Sequence, residues 1–264
     1  MSDLKKKADD FHALHVPGRP LVLFNIWDPG TARAVTAAGA RAIATGSWSV
    51  AAANGFSDGE HLPLDLAIDI LARITRATEL PVTIDVESGY GNMAEMVGRT
   101  IARTVEAGAI GCNLEDSFPE NGTLREIAEQ VERIRHARIA ADTSGIRYFI
   151  NARTDIFFQG PSETHEETML KAAVNRAHAY AHAGADGLFA PGLVDQAMIA
   201  RLAVASPLPL NVMVSDETPS FDVLVDSGVA RVSHGPGSYL AMMKKLEKLA
   251  RAAMRTEPPE TVQG

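Results

Sequence analysis

The stretch T-I-D-V-E-S-G-Y-G-N at residues 83–92 is compatible with two different folds. Its second half continues as G-Y-G-N-M-A over 89–94, which matches the glycine pattern of a dinucleotide-binding turn in a doubly wound sheet. Its first half ends an apolar run with two carboxylates, Asp85 and Glu87. A diphosphate binds at a helix N-terminus, and two nearby negative charges would repel it. We therefore favour a second interpretation, in which the glycines let the chain turn tightly over a metal site.

Apolar runs like the one before Asp85 recur along the whole chain and alternate with longer, Ala-rich amphipathic segments. We predict strands over 21–28, 41–48, 81–88, 111–116, 147–155, 187–192, 208–214 and 231–236. Helical patterns include 65–78, 93–107, 168–183 and 239–253, and a further helix is predicted over 3–14 before the first strand.

The joints between helices and strands are also alike. A-G-A occurs at 38–40, 107–109 and 183–185, and S-G-V takes its place at 227–229. A glycine just after a helix supplies the left-handed residue that ends it. The eight strand–helix units predict a (β/α)8 TIM barrel, with an open doubly wound sheet as the alternative. No linker divides the chain, so we expect one domain over 1–264, with a frayed tail at 256–264.

The composition excludes several classes of protein. The net charge is −8, and the short basic runs at 5–7 and 244–245 are typical of solvated helix faces, so no nucleic-acid partner is expected. The N-terminus lacks an apolar signal core, and no segment is apolar enough for a membrane span, so we expect a cytoplasmic protein without a membrane partner. The single cysteine, Cys112, excludes an internal disulfide and is expected to face the helices as a buried thiol.

Polar side chains occur at the carboxyl ends of the third, fourth and fifth predicted strands, the edge at which barrel enzymes place their active sites. Side chains alternate across a strand, so each strand should turn one polar set towards the barrel interior. These sets are Thr83, Asp85 and Glu87; Asn113 and Glu115; and Asn151, Arg153 and Asp155.

Three acids without a histidine cluster predict a hard divalent cation, Mg²⁺ or Mn²⁺, bound through oxygen. The alternative is that Asp85, Glu87 and Glu115 cap helices or pair with Arg153. Both interpretations remain open, although helix caps do not require acids aligned on one strand face.

In their order along the chain, these residues lie in motifs that resemble the isocitrate lyase/phosphoenolpyruvate mutase superfamily. The motifs run from Asn25 to about Leu246 and are NIWDPGTARAVTAAG, ATGSWSVAAANGFSDGE, TIDVESGYGN, NLEDSFPENG, INARTD and AYAHAGADGLF. The resemblance implies a (β/α)8 barrel that exchanges its last helix with a partner, in a homodimer or homotetramer.

The resemblance also implies roles for individual acids. Asp85 would be the direct Mg²⁺ ligand, and Glu115 would be a further acid of the metal site. Glu87 stands where the family usually has aspartate and would hold a metal-bound water. Asp58 would approach the metal through water, and Asp58 or Glu87 could position a water for hydrolysis.

The substrate-binding residues implied by the resemblance lie at several strand ends. The Thr45–Ser47 turn would offer backbone N–H groups to a carboxylate or phosphonyl group, and Arg153 would anchor the substrate and act in catalysis. The full set is Trp27, Thr45, Gly46, Ser47, Asn113, Arg153 and Asn211.

One loop departs from the family pattern. Lyases of the family carry K-K-C-G-H after the fourth strand, whereas this chain has S-F-P-E-N-G-T-L-R-E at 117–126, without Cys, Lys or His. The missing acid or base disfavours isocitrate and methylisocitrate cleavage. Loss of CO₂ from oxaloacetate needs an electrophile and an arginine but no strong protein base.

We therefore predict a Mg²⁺-dependent lyase or hydrolase. It would cleave a C–C or C–P bond of a small anionic 2-oxo acid through a metal-stabilised enolate, as an oxaloacetate decarboxylase does. Two alternatives stay open: a lyase for a substituted malate or citrate-type acid, and a barrel that binds a 2-oxo acid without converting it.

Overall fold

Eight parallel strands form the centre of the fold in this computed structural model, which describes residues 2–254. The strand order is β1-β8-β7-β6-β5-β4-β3-β2, and a single parallel bridge between Ile26 and Thr45 joins the two ends of the sheet. The strands are β1 (Leu21–Leu23), β2 (Ile43–Ala44), β3 (Val82–Asp85), β4 (Gly111–Glu115), β5 (Phe149–Arg153), β6 (Gly187–Phe189), β7 (Leu210–Met213) and β8 (Arg231–Ser233). The predicted (β/α)8 barrel is confirmed, and the open sheet is excluded.

Helices surround this barrel. They are α1 (Ser2–Ala13), α2 (Pro29–Ala37), α3 (Ser47–Ala53), α4 (Leu64–Thr75), α5 (Ala94–Glu106), α6 (Ile127–Thr143), α7 (Glu167–Ala183), α8 (Gln196–Ala205), α9 (Phe221–Asp226) and α10 (Gly237–Met254). Helix α1 confirms the predicted N-terminal helix, while the predicted frayed tail lies outside the described residues. Within the described part of the chain, no helix has both the length and the apolarity needed to cross a membrane.

The glycines predicted to end helices do so. Gly39, Gly108, Gly184 and Gly228 all have φ between 80° and 104°, a conformation that side chains with a Cβ rarely adopt. At Gly108 the approach of the chain adds a second reason, because a Cβ there would lie 3.2 Å from the side chain of Thr75. The repeated tripeptide therefore reflects one backbone requirement met at four helix ends.

The two faces of the strands follow the predicted alternation. Outward residues such as Cys112 and Leu114 are fully buried against the helices, and burial raises the pKa of the Cys112 thiol to about 12. The inward residues in the upper halves of β4 and β5 are polar, and the Nδ2 of Asn151 donates to the Oδ1 of Asn113 at 2.9 Å inside the barrel. The core lies between sheet and helices, and the polar interior leads to the site.

Candidate active site

A cavity of about 170 Å³ opens at the carboxyl ends of the strands. Six of the residues predicted for the site line it: Gly46, Ser47, Asp58, Asp85, Asn113 and Arg153. The other lining residues are Asn25, Trp48, Phe158, Phe189, Met213, Ser233, Gly235 and Pro236. The cavity is smaller than the roughly 300–1,000 Å³ of pockets that hold drug-sized ligands, so its dimensions suit a small metabolite.

Asp85 is the last residue of β3 and presents its carboxylate to this cavity. Its Oδ1 accepts the backbone N–H of Glu87 at 3.0 Å, and its Oδ2 accepts the Nδ2 of Asn113 at 3.4 Å. Burial raises the pKa of Asp85, an effect that the positive charge of Arg153 opposes. Each oxygen keeps a further lone pair, so the carboxylate can still ligate a cation.

Arg153 ends β5 and lies between two acids. Its Nε donates to the Oδ1 of Asp155 at 2.6 Å, its Nη2 to the Oδ2 of Asp155 at 3.2 Å, and its Nη1 to the Oε1 of Glu115 at 2.5 Å. Burial raises the pKa of Glu115 well above its ordinary range, and Arg153 is the main opposing charge. Three of the five N–H donors of the guanidinium are thus engaged, and two remain for a ligand. Arg153 therefore pairs with acids and lines the cavity at the same time, so the two interpretations of this residue are compatible.

A second acid of the same strand end, Asp116, supports this arrangement from outside the cavity. It is fully buried, and its Oδ2 accepts the Nη1 of Arg176 at 2.9 Å and the hydroxyl of Tyr180 at 2.7 Å. Its Oδ1 accepts the backbone N–H of Asp155 at 2.9 Å, which fixes the residue that pairs with Arg153. The sequence offered one signal, because strand parity turns Asp116 towards the helices, where a buried acid needs a cation.

Glu87 lies beside the cavity rather than in its lining. Just beyond β3 its φ is 52°, and its Oε2 accepts the backbone N–H groups of Gly59 at 2.8 Å and Glu60 at 2.6 Å. Burial, reinforced by the negative charge of Asp58, raises the pKa of Glu87 to about 8. The structure therefore turns this carboxyl towards the backbone of the 55–61 loop.

Two of the backbone N–H groups in the predicted carboxylate-binding turn already donate to backbone carbonyls of neighbouring segments. The N–H of Thr45 donates to the carbonyl of Thr83 at 3.1 Å, and the N–H of Gly46 donates to that of Ile26 at 3.2 Å. The Oγ1 of Thr45 accepts the N–H of Asp85 at 3.0 Å. Thr45 thus supports the end of β3 from the neighbouring strand, and Gly46 and Ser47 are the residues of the turn that line the cavity.

Besides Thr45, two predicted substrate-binding residues lie outside the cavity lining. Trp27 is buried and packs edge-on against Tyr239, with ring centroids 4.9 Å apart, whereas Trp48 is the tryptophan that lines the cavity. Asn211 is buried below the cavity, where its Oδ1 accepts the hydroxyl of Ser233 at 3.2 Å.

Two further residues shape the site without having been predicted. Asn25 lines the cavity, and its Oδ1 accepts the N–H groups of His234 and Gly235 at 3.0 and 2.9 Å, which joins the loops after β1 and β8. Arg231 is fully buried, and its Nη2 donates to the Oδ1 of Asn113 at 3.1 Å. Burial lowers the pKa of Arg231 to about 9, while the charge of Asp85 opposes that shift.

These residues suit a hard cation held mainly by one side chain. Among the described residues, no group of three or more His, Cys, Asp or Glu is arranged to hold a metal, and the acids in the cavity lining are Asp58 and Asp85. Asp85, at the end of β3, would be the direct protein ligand. Magnesium commonly binds through one or two carboxylates and keeps several waters, which matches this donor set. Burial chiefly raises the pKa values of Asp85 and Glu115, and a divalent cation beside them would favour their charged forms. The dinucleotide interpretation fails, because the N–H of Tyr90 donates to the Oε1 of Glu60 at 2.8 Å.

Comparison with known proteins finds relatives that match most of the chain. A crystal structure from Burkholderia cenocepacia, described provisionally as a phosphonomutase, is 57% identical, with a TM-score of 0.93 over 95% of this chain and 99% of that one. The 2-methylisocitrate lyase of Escherichia coli is 31% identical over 258 residues, 89% of this chain and 83% of that protein. The oxaloacetate decarboxylase of Rhodopseudomonas palustris is 29% identical over 223 residues, 83% of this chain and 75% of that protein.

The family model described as phosphoenolpyruvate phosphomutase matches residues 11–254, nearly the whole described chain. The matched region contains every residue of the cavity lining. Together with the barrel and the acidic strand ends, this match places the chain in the phosphoenolpyruvate mutase family of the isocitrate lyase/phosphoenolpyruvate mutase superfamily of enzymes.

Proposed function

We propose that the chain is a Mg²⁺- or Mn²⁺-dependent lyase that removes CO₂ from a small 2-oxo acid of the oxaloacetate type. The observation that carries the proposal is the cavity itself, where the carboxylate of Asp85 and the guanidinium of Arg153 meet in about 170 Å³. A cation on Asp85 and two free N–H donors on Arg153 would bind the two ends of a dicarboxylate. The similarity to an oxaloacetate decarboxylase supports the same substrate class.

Arg153, Asn113 and Asp85 would have different roles in binding and in catalysis. Arg153 would hold a substrate carboxylate in two-point contact, which suits its planar guanidinium. The Nδ2 of Asn113 donates to Asp85 and so keeps that carboxylate oriented towards the cavity. A cation on Asp85 and its waters would supply positive charge beside the 2-oxo oxygen. When the C–C bond to the departing carboxylate breaks, CO₂ leaves and the bonding electron pair moves towards the 2-oxo oxygen. The carbon that lost CO₂ then takes a proton from solvent to give the 2-oxo product, so no proton has to be removed first.

The lining favours decarboxylation over cleavage of a hydroxy acid. Cleavage of a hydroxy diacid requires a base for the hydroxyl. The residues that line the cavity include no His, Cys or Lys, and Asp58 at its exposed edge is the available carboxylate besides Asp85. Hydrolysis of a C–C or C–P bond is the second candidate, because Asp58 is placed to orient a water.

The test is a substrate panel with a matched inactive variant. Wild-type protein and the Asp85→Asn variant are incubated with Mg²⁺ and oxaloacetate, phosphonopyruvate or a dimethylmalate-type acid, and pyruvate or phosphate is measured. The variant corrects for the decarboxylation that free Mg²⁺ itself promotes. Pyruvate formation from oxaloacetate by the wild type alone supports the proposal. Phosphate release supports the hydrolase, and tight binding without loss of any acid supports a binding protein.

We further propose that the chain works as a homo-oligomer. The outer side of α10 exposes Leu240, Met242, Leu246 and Leu249. An open groove of about 550 Å³ lies beside β1 and α2, where Val22 and Phe24 are also exposed. Apolar surfaces of this kind mark sites of protein–protein contact. A second copy of the chain, with its α10 in this groove, would cover both surfaces.

A further inference from the structure

Three strained residues lie together at the edge of the cavity. Among the described residues, Glu60 (φ 60°), Glu87 (φ 52°) and Tyr90 (φ 57°) are the non-glycine residues with positive φ. Side chains with a Cβ adopt this conformation at a cost, and it persists only where surrounding contacts enforce it. All three belong to the junction between the loop after α3 and the turn after β3.

The contacts that enforce the strain are reciprocal. From the β3 side, the Oε2 of Glu87 accepts the backbone N–H groups of Gly59 and Glu60 at 2.8 and 2.6 Å. From the loop side, the Oε1 of Glu60 accepts the hydroxyl of Ser88 at 2.7 Å and the N–H of Tyr90 at 2.8 Å. Each glutamate thus binds the backbone of the segment that carries the other, and we name these four hydrogen bonds the glutamate clasp.

The turn after β3, which carries one side of the clasp, is fixed from behind. Arg133 of α6 donates from its Nη2 to the carbonyl of Ser88 and from its Nη1 to that of Asn92, the latter at 3.3 Å. Gly89 fits only without a side chain, because a Cβ there would lie 2.9 Å from the Cγ2 of Val97. The turn after β3 is therefore a firm support, and the clasp holds the loop to it.

The loop held in this way carries Asp58, which is exposed at the cavity and directly precedes Gly59. A hydrogen bond to the N–H of Gly59 fixes the peptide plane next to Asp58, and so limits where its carboxylate can lie. Without the clasp, the loop would retain the bond between the Nδ1 of His61 and the carbonyl of Asp58 at 2.8 Å, a contact within the loop itself.

We propose that Glu60 and Glu87 are positioning residues that hold Asp58 at the cavity, and that Glu87 acts by accepting hydrogen bonds rather than by anchoring a metal-bound water. The functional part of this inference rests on the proposed lyase activity. A hydrogen-bond acceptor needs an oxygen but no charge, whereas a water held between Glu87 and a cation depends on the charge. Glutamine at either position should therefore preserve the clasp.

The experiment compares Glu60→Gly, Glu60→Gln and Glu87→Gln with the wild type, and uses Glu106→Ala on the exposed side of α5 as a control. Glycine adopts φ near 60° without strain, so Glu60→Gly removes the carboxylate while favouring folding. Amide hydrogen exchange at Gly59 and Tyr90 reports the clasp directly. Calorimetric titration with Mg²⁺ reports the metal site, and kcat and KM are measured with oxaloacetate.

We expect Glu60→Gly to speed exchange at Tyr90 by about tenfold or more, since the amide of Tyr90 loses its acceptor, and to lower kcat more than it changes Mg²⁺ affinity. Both glutamine variants should keep exchange and Mg²⁺ affinity within about twofold of the wild type, as should the control. Unchanged exchange in Glu60→Gly would refute the clasp. A tenfold loss of Mg²⁺ affinity in Glu87→Gln, with exchange unchanged, would show that Glu87 acts through its charge and would overturn the proposal. A wild type that converts no 2-oxo acid would defeat the proposed function alone, because exchange still decides the clasp.

Discussion

Replacing Arg153 with glutamine tests whether this ion-pair partner of Glu115 and Asp155 also anchors the substrate, as proposed. The change removes the cation that bonds to Glu115 and Asp155 and whose charge also acts on Asp85. The three paired side chains are 18%, 13% and 7% exposed, so water can screen the unpaired acids only partly. Breaking such a buried pair costs roughly 3–5 kcal/mol of stability. At about 2–4 °C per kcal/mol for a chain of this size, the melting temperature should fall by about 6–20 °C.

The same variant should weaken substrate binding. Two N–H donors of Arg153 remain for a carboxylate, and a hydrogen bond to a charged group contributes about 1.5–3 kcal/mol, so the affinity for oxaloacetate or for oxalate should fall by at least about tenfold. Melting curves by calorimetry and titration with oxalate in the presence of Mg²⁺ measure the two effects separately. A large fall in melting temperature with unchanged affinity would show that Arg153 serves the fold alone.

The pH dependence and two control variants sharpen this test. The pKa of Glu115 is already above its ordinary range in the folded chain, and loss of Arg153 should raise it further. An acid whose pKa is higher in the folded state than in the unfolded state binds its proton more tightly in the folded state. Its contribution to the free energy of unfolding is therefore fully present below the unfolded pKa and is lost as the pH rises through the folded pKa. The defect of Arg153→Gln should therefore grow with pH, and adding Glu115→Gln should reverse part of it. Arg73→Gln, which breaks the exposed pair with Asp69, should change stability by less than about 1 kcal/mol.

Three further predictions concern other parts of the molecule. Asp85→Asn should abolish Mg²⁺ binding in calorimetric titrations, and full wild-type activity in excess EDTA would contradict the metal site. Burial lowers the pKa of His15 from 6.5 to about 3, so the unfolded chain binds the extra proton and stability should fall as the pH drops between these values. His15→Leu should reduce this fall in the free energy of unfolding, measured by urea titration at each pH. An unchanged fall would exclude His15 as its source. Leu246→Glu combined with Leu249→Glu should reduce the assembly size in light scattering, and a wild-type monomer at micromolar concentration would argue against the homo-oligomer.

All eight strands were predictable from the sequence, but each was predicted longer than it is. The first strand was predicted over 21–28, whereas β1 is Leu21–Leu23, and Asn25 just beyond it lines the cavity. Apolar content marks burial, and residues just after a barrel strand are buried without joining the ladder. The positions of strands were therefore predictable from composition, while their ends depend on hydrogen bonds that composition does not encode.

Site residues were predictable where the strand period still applied. Asp85, Asn113 and Arg153 lie on their strands, and period-two alternation places all three at the cavity. Glu87 follows the strand at φ 52°, so alternation no longer fixes its direction. Arg231 was missed because its partner, Asn113, lies on a strand far away in sequence. Long-range partners of this kind follow from barrel closure and leave no local pattern.

The way the barrel closes has a consequence for its biosynthesis. Within residues 2–254, β1 pairs along its length only with β8, while its other edge meets the β2 segment through the single Ile26–Thr45 bridge. The ladder of β1 therefore cannot form until β8, the last of these strands to be synthesised, has left the ribosome. Until then its edge and the outward Val22 and Phe24 stay accessible to other chains, a known route to aggregation. A nascent chain halted before residue 231 should therefore depend on chaperones, and productive release should coincide with synthesis of β8.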